Sequence, residues 1–319
     1  MFKSSITKFL IASLGILMTG LFVAALILAV QAWSNYALAG RIAHLTSTDH
    51  TLFNALITVR AQVPKDSTAL ISEDDPRAVI EATHREASKT VTVALEALQA
   101  TNDANLDVFA TAMRKAWQNV EALRLAVDAL ASHPRTERNL HAIDDWREAI
   151  HGMTDTLNTA SVAVGNTVRI GDPLIAEMVQ IRRTAWTIRD RYGLQCSMLR
   201  SNVDTSQPLD ATQLDQWFGN RAVYTAAWHA LDEFLLRPGV SQRLRDLIDV
   251  ARRNTEQAQA KVDAIVARFD RSSRPVVGGA EWTALCDGPF DSILAIAQEA
   301  QDQANRHAET IRASSFRML

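Results

Sequence analysis

The feature that most constrains this chain is a long stretch without charge near its N-terminus. No charged residue occurs over residues 9–40, and the apolar run 9–30 is 22 residues long. As an α-helix this run measures about 33 Å, which matches the hydrocarbon thickness of a bilayer. Trp33 and Tyr36 follow it, at the position of an interfacial aromatic belt. We therefore predict a transmembrane helix over residues 9–31.

The charges that flank this run predict its orientation. Lys3 and Lys8 precede it, and positive charge tends to remain on the cytoplasmic side, so residues 1–8 are predicted to be cytoplasmic and the rest exported. The alternative is a cleaved signal peptide, for which Ala37-Leu38-Ala39 resembles a cleavage site. The apolar core of a signal peptide usually has only about 7–15 residues, so we expect the helix to stay attached. Residues 41–319 contain no second apolar run of spanning length.

The exported part is predicted to be all-α. The chain has only 12 glycines and 8 prolines, too few turn residues for an all-β sandwich or barrel. Apolar residues recur at three- and four-residue steps in several segments, which is typical of bundle helices. One such stripe comprises Phe109, Met113, Ala116, Val120, Leu123, Val127 and Leu130.

Helix breakers divide this part into eight predicted helices. Pro64 is predicted to end the helix that leaves the membrane, and Gly171-Asp172-Pro173 is the clearest internal boundary. A kink is expected at Gly288-Pro289. Eight amphipathic helices in a row predict two antiparallel four-helix bundles, over residues 32–170 and 171–319. Alternatively, long first and last helices could run through both bundles.

Composition and motifs argue against several function classes. The net charge of −3, from 33 basic and 36 acidic residues, gives no basic field for nucleic acid. The chain has no GxSxG, Walker, GxGxxG or HExxH motif, so we predict no enzyme activity, no metal site and no cofactor. An interaction protein stays an alternative, although six tryptophans in the exported part are unlike a plain coiled-coil scaffold.

The only two cysteines are Cys196, in the fifth helix, and Cys286, near the start of the last helix. Both lie on inward-facing stripes. An even pair of cysteines in an oxidising compartment can form one disulfide. The alternative of two buried free thiols stays open at this point.

Arginines and aromatic residues share two neighbouring helices. In the sixth helix, Arg221 lies on an apolar stripe with aromatic residues on both sides, where a guanidinium is costly unless it is paired. Arginine suits capture of a planar anion, and aromatic rings can stack on an organic ligand or on the guanidinium itself. The predicted ligand-binding residues are Arg182, Trp186, Arg189, Arg221, Tyr224 and Trp228.

Each of these residues also has a structural interpretation. Arg221 can pair with Asp190 or another carboxylate and so fix the helix register. Aromatic residues at helical spacing commonly pack in a core. The arginines of the fifth helix can extend to a solvated face.

The fifth helix carries the pattern W..RD..G, in Trp186, Arg189, Asp190 and Gly193. This stretch is similar to one in the helical sensor domains of alphaproteobacterial chemoreceptors and membrane diguanylate cyclases. Trp228 and the pair Glu281-Trp282 fit the same type. The layout also resembles the nitrate-sensing NIT domains and the bimodular helical HBM domains, in which arginines or other polar side chains between helices hold a small anion.

The resemblance implies a sensor in the inner membrane of a bacterium, with residues 32–319 in the periplasm. It implies a small anionic or carboxylate ligand, and a homodimer formed through the first and last helices. A methyl-accepting chemoreceptor is the favoured type; a diguanylate cyclase, a histidine kinase or an anchored interaction protein are the alternatives. Receptors of this kind continue into a second membrane helix and an output module, whereas the sequence ends at Leu319. It is therefore interpreted either as a fragment or as an anchored ectodomain.

Overall fold

The computed structural model describes residues 2–169, 171–269 and 276–317. The protein is 89% helical, and the described residues contain no strand, as predicted. The helices are α1 (Phe2–Ser72), α2 (Arg77–Ala100), α3 (Ala104–Ala131), α4 (Asp144–Arg169), α5 (Pro173–Thr205), α6 (Ala211–Leu235), α7 (Gln242–Val266), α8 (Gly279–Asp287) and α9 (Phe290–Arg317). Two short 3-10 turns, Arg135–Glu137 and Leu140–Ile143, join α3 to α4.

Side-chain caps explain several of the helix starts. The Asp103 carboxylate accepts from the backbone N–H of Asn105 at the start of α3. Asp172 caps α5, with Pro173 in the first turn. Asp210 and Gln213 form a reciprocal capping box at the start of α6. Each of these caps satisfies N–H groups that a helix start leaves without an intrahelical partner.

The expectation that Pro64 ends the first exported helix was wrong. Pro64 lies inside α1, which continues to Ser72. An internal proline removes one backbone hydrogen bond and crowds the preceding turn. Beyond it, Asp66, Ala69 and Leu70 are buried, so packing against the neighbouring helices holds the helical conformation past the proline. The expected kink at Gly288-Pro289 is a full break between α8 and α9.

One of the described helices, α1, is long and apolar enough to cross a membrane. Its most apolar 18-residue window has a mean hydropathy of 2.5, and none of that window is buried within the protein. A signal sequence near the N-terminus would show the same properties. Burial in α1 begins at Ala39 and continues to Leu70.

The buried half of α1 lies among several partners. It packs along α2, α4 and α9, and α3 packs along α4 and α2. The long α5 packs against α6 and α9, α7 packs against α9, and α8 lies on α5. Near the exposed apolar segment, the rings of Tyr36 in α1 and Phe316 in α9 have centroids 6.0 Å apart. The end of α9 therefore returns to the same level as the apolar segment of α1.

Candidate functional site

The six ligand-binding residues predicted from sequence do not form one pocket. The structure divides them among separate clusters in different helix interfaces. Arg182 lies between α1, α4 and α5. Arg221 and Tyr224 lie between α5, α6 and α7, and Trp228 lies under Arg252 of α7. Trp186 and Arg189 lie between α1, α5 and α9.

Arg182 has a protein partner. Its Nη2 donates to Asp49 Oδ1 at 3.1 Å, and Ser161 Oγ donates to the same oxygen at 2.5 Å. All three residues are buried. The Arg182 guanidinium also lies over the Phe53 ring, 4.8 Å from its centroid. Arg182 therefore joins α1, α4 and α5. Because its buried guanidinium is paired with a carboxylate of the protein, we assign it a structural role.

Arg221 is not the inward-facing residue that we predicted. Its side chain is 37% exposed and forms a bidentate pair with Asp263 of α7, with both N–O distances 3.0 Å. The partner is a carboxylate other than Asp190, as the structural interpretation of Arg221 allowed. Tyr224 donates to Gln259 Oε1 at 2.7 Å, and Gln259 Nε2 donates to Asp263 at 2.7 Å. These contacts form a structural network between α6 and α7.

Trp228 is buried, and its ring lies 5.1 Å from the Arg252 guanidinium carbon. Arg252 forms an ion pair with Asp232. This cation–π contact lies within the α6–α7 interface and leaves Trp228 apart from the other predicted ligand-binding residues.

Trp186 and Arg189 meet a residue that sequence reasoning missed, Arg60 of α1. Trp186, Arg189 and Gly193 share one face of α5 because their spacing follows the helical repeat. The Arg189 guanidinium carbon lies 5.4 Å from the Trp186 ring centroid and 4.3 Å from the Phe290 ring centroid. Arg60 approaches from α1, and its charge acts on Arg189. Two aromatic rings thus lie close to the Arg189 guanidinium.

Gly193 allows this close approach. A Cβ atom added at Gly193 would lie 3.2 Å from Phe290 Cζ and 3.9 Å from Arg60 Nη2. A larger side chain would therefore press on both residues. Asp190 lies on the same turn of α5, and its Oδ1 is 3.8 Å from Arg60 Nε. Asp287, at the end of α8, is exposed, and its charge acts on both arginines. We call the group Arg60, Arg189, Asp190, Asp287 and Phe290 the arginine site.

The two guanidinium groups are buried without being satisfied. Arg60 is 4% exposed and Arg189 is 6% exposed. Among the described residues, Arg60 Nε and both Nε and Nη1 of Arg189 have no hydrogen-bond partner. Arg189 also forms no ion pair with a described residue. A buried donor without a partner is costly, and most costly on a charged group.

The electrostatics of the site agree with its geometry. Burial is the main cause that lowers the pKa of Arg189 to about 9, and the nearby charge of Arg60 acts in the same direction. Burial also lowers the pKa of Arg60, although Asp190 and Asp287 oppose this. Both shifts mean that the nearby negative charges do not fully compensate for the burial of the two charged guanidinium groups. A bound anion would supply it.

Acidic groups and a histidine flank the arginines. Loss of water raises the pKa of Asp287, against the opposing charges of Arg189 and Arg60. Loss of water likewise raises the pKa of Asp155 on α4, with the charge of Asp190 adding to it. Burial lowers the pKa of His151, also on α4, and the charge of Arg60 acts in the same direction. The site therefore contains both unsatisfied donors and partly desolvated carboxylates.

A disulfide fixes one wall of the site. Cys196 of α5 and Cys286 of α8 are bonded, with their Cα atoms 6.1 Å apart. Trp282 Nε1 donates to the Cys196 carbonyl at 3.2 Å and ties α8 to α5 a second time. Because Asp287 follows Cys286 directly, these contacts position its backbone at the end of α8.

One sequence signal could have pointed to Arg60. It is the only charged residue over residues 51–64, a segment rich in apolar residues. Its meeting with Arg189, Asp287 and Phe290 depends on tertiary packing, since these residues lie far apart in the chain. In the part of the chain that the structure describes, no group of three or more His, Cys, Asp or Glu side chains could hold a metal ion.

Comparison with protein-family models, with curated proteins and with solved structures found no match to this chain.

Proposed function

We propose that this chain is the ligand-sensing part of a bacterial transmembrane signal transducer, and that it binds a small anion at the arginine site. A methyl-accepting chemoreceptor is the type of transducer that we favour. In this proposal α1 remains attached as a membrane anchor, and residues 32–319 lie in the periplasm.

The observation that carries the proposal is the pair of buried arginines without sufficient partners. Arg60 and Arg189 leave three buried N–H donors without an acceptor among the described residues. Arg182 differs in degree: its Nε also has no partner, but its Nη2 lies 3.1 Å from the Asp49 carboxylate, whereas the carboxylate nearest to Arg60, that of Asp190, is 3.8 Å away. Planar guanidinium groups match carboxylate and nitrate oxygens well.

The position of Arg60 suggests how binding would reach the membrane. Arg60 lies on α1, the helix that contains the apolar segment, about 45 Å from residue 30 along the helix axis. A ligand that contacts Arg60 and Arg189 joins α1 to α5, and so favours the packing of α1 in which both contacts are made. Interface helices in other switches move by about 1–2 Å.

The helix contacts support an arrangement of two antiparallel four-helix bundles. In this proposal α1–α4 form one bundle, and α5, α6, α7 and α9 form the other. α1 also packs along α9, and α4 along α5; in this proposal these contacts join the two bundles, and the arginine site lies where they meet. A homodimer through α1 and α9 stays part of the proposal, since the ends of these helices meet beside the apolar segment.

A binding measurement on the full chain tests the proposed function. The protein in lipid nanodiscs would be screened by thermal shift against nitrate, acetate, malate, citrate and the common L-amino acids. We expect at least one of these to raise the melting temperature; a ligand at 100 times its Kd adds roughly 2.7 kcal/mol. Arg189→Gln should abolish the shift, whereas Arg41→Gln, an exposed control on α1, should keep it. If no compound gives a shift, the proposal is wrong.

A further inference from the structure

The end of α9 brings an exposed aromatic ring to the apolar segment of α1. On α1 the rings of Trp33 and Tyr36 have centroids 6.4 Å apart, and the Phe316 ring of α9 lies 6.0 Å from that of Tyr36. Trp33 and Phe316 are both 66% exposed. Single exposed apolar side chains are common on protein surfaces, but these three rings directly follow an apolar run long enough to span a bilayer. We call Trp33, Tyr36 and Phe316 the aromatic cluster.

The aromatic cluster lies at the level expected for the lipid headgroups. If residues 9–30 span the hydrocarbon core, Trp33 and Tyr36 lie about 4.5 and 9 Å beyond its edge along the helix axis. The polar layer on each side of a bilayer is about 5–8 Å thick. Tyr36, and Phe316 beside it, are therefore placed at the outer part of this layer, where aromatic residues are enriched in membrane proteins.

Packing on α1 holds the end of α9 at this level. α9 packs along α1, and Ala304, Ala308 and Ser315 of α9 are all buried. Burial thus extends to Ser315, and Phe316 is exposed immediately after it. The contact between the two helices therefore determines where the Phe316 ring lies.

The charges at the end of α9 suit a surface of lipid phosphates. Arg312 and Glu309 lie 3.5 Å apart, and both side chains are more than half exposed. Their charges cancel. Arg317 is exposed and forms no ion pair with a described residue, so it leaves a net positive charge in the last turn. An arginine side chain can extend along apolar surface and place its guanidinium on a phosphate.

We propose that the end of α9 binds the membrane surface, with the Phe316 ring among the lipid headgroups and the Arg317 guanidinium on a lipid phosphate. This inference rests on the part of the proposed function in which α1 spans the membrane, and it adds α9 as a second element in contact with lipid. Sliding of α9 along α1 would withdraw the ring into water or push it towards hydrocarbon. The lipid contact therefore opposes such movement and defines a resting position for α9.

Quenching of tryptophan fluorescence by brominated lipids tests this contact. The full chain is placed in nanodiscs of phosphatidylcholine and phosphatidylglycerol whose acyl chains carry bromine near the headgroup. Trp33→Phe removes the tryptophan expected in the headgroup layer, and Phe316→Trp in that background adds one at the end of α9. We expect the emission that Phe316→Trp adds to be quenched by a fraction similar to that of the emission that Trp33→Phe removes.

Leu125→Trp in the same background is the control. Leu125 is 73% exposed on α3, and it lies about 33 Å along that helix from the end where Asp103 pairs with Arg41. The emission that Leu125→Trp adds should not be quenched. Melting curves would establish that each variant is folded.

Arg317→Glu, added to Trp33→Phe/Phe316→Trp, tests the contact with phosphate. A carboxylate at this position is repelled by the anionic lipid surface, so the quenching should fall. Arg253→Glu, at an exposed position on α7, should leave the quenching unchanged.

The outcomes separate this inference from the proposed function. If Trp33 is quenched and the emission that Phe316→Trp adds is not, the inference is wrong and the membrane anchor stands. If neither is quenched, the membrane anchor and the inference are both wrong. Quenching that Arg317→Glu leaves unchanged would overturn the contact of Arg317 with phosphate.

Discussion

The three arginines that the sequence predicted to bind a ligand have different partners in the structure, and these partners indicate their roles. Arg182 is buried against Asp49, Arg221 is half-exposed against Asp263, and Arg189 is buried with no ion-pair partner in the described part of the chain. Burial alone therefore does not identify a functional arginine. A buried charge left without a partner is the more informative observation.

Arg182 is predicted to be essential for stability. Arg182→Met removes the charge and leaves the buried Asp49 carboxylate with only the Ser161 hydroxyl. We expect a loss of about 3–5 kcal/mol in unfolding free energy, measured by urea denaturation. The double variant with Asp49→Asn should recover much of this loss, because no buried charge remains. An Arg182→Met protein as stable as the parent would contradict the assignment.

Arg221 is predicted to contribute little to stability. Its pair with Asp263 is more than one-third exposed on both sides, and such surface pairs contribute about 0–1 kcal/mol. Arg221→Ala should therefore change the unfolding free energy by no more than about 1 kcal/mol. A loss of several kcal/mol in the same urea experiment would show that Arg221 is buried in solution.

Asp66 is predicted to make stability depend on pH. Burial is the main cause that raises its pKa to about 7; the charge of Asp128 acts in the same direction, and the hydrogen bond from Thr83 and the charges of Arg124 and Lys65 oppose it. The folded state thus prefers the protonated form. This contribution to stability is fully present below the ordinary pKa and is lost as pH rises through about 7. The unfolding free energy of the parent should fall between pH 5 and pH 8.

Asp66→Asn tests this prediction, because the amide keeps an acceptor for Thr83 and cannot ionise. At pH 8 it should exceed the parent in stability by on the order of 3 kcal/mol, and at pH 5 by much less. Asp107→Asn, at an exposed position in α3, serves as the control and should keep the parent's pH profile. Parallel profiles for the parent and Asp66→Asn would refute the role of Asp66.

At the scale of helices, the sequence predicted most boundaries and failed where packing overrides local preference. The break at Gly171-Asp172-Pro173 is present, because capping and proline effects are local. Pro64 failed as a helix end because the energy that keeps α1 helical comes from burial against other helices.

The α5–α8 disulfide is predicted to stabilise the fold and to order the wall of the arginine site. It closes a loop of 90 residues, which corresponds to about 4 kcal/mol in the chain-entropy model. The Cys196→Ser/Cys286→Ser double variant should unfold at lower urea concentration by this amount, and a reducing agent should shift the parent in the same way. Equal stability of oxidised and reduced parent would contradict the prediction.

For the whole molecule, the arginine site depends on helices that are distant in sequence. Trp186 and Arg189 could be selected from the sequence because they share one helix with a recognisable pattern. Arg60, Asp287 and Phe290 could not, because helical periodicity gives the buried face of each helix but not the neighbour that covers it. The same limit placed the predicted pocket between α5 and α6, whereas the unsatisfied donors lie between α1, α5 and the α8–α9 junction.

The most direct test of this account asks which arginines bind the ligand. Using the tightest-binding compound from the nanodisc screen, calorimetry would compare Arg60→Gln, Arg189→Gln and Arg221→Gln with the parent. We predict that the first two each lower affinity by at least about tenfold and that Arg221→Gln binds as the parent does. Loss of binding in Arg221→Gln, with Arg60→Gln and Arg189→Gln unchanged, would contradict the account and return the site to the α5–α6 interface.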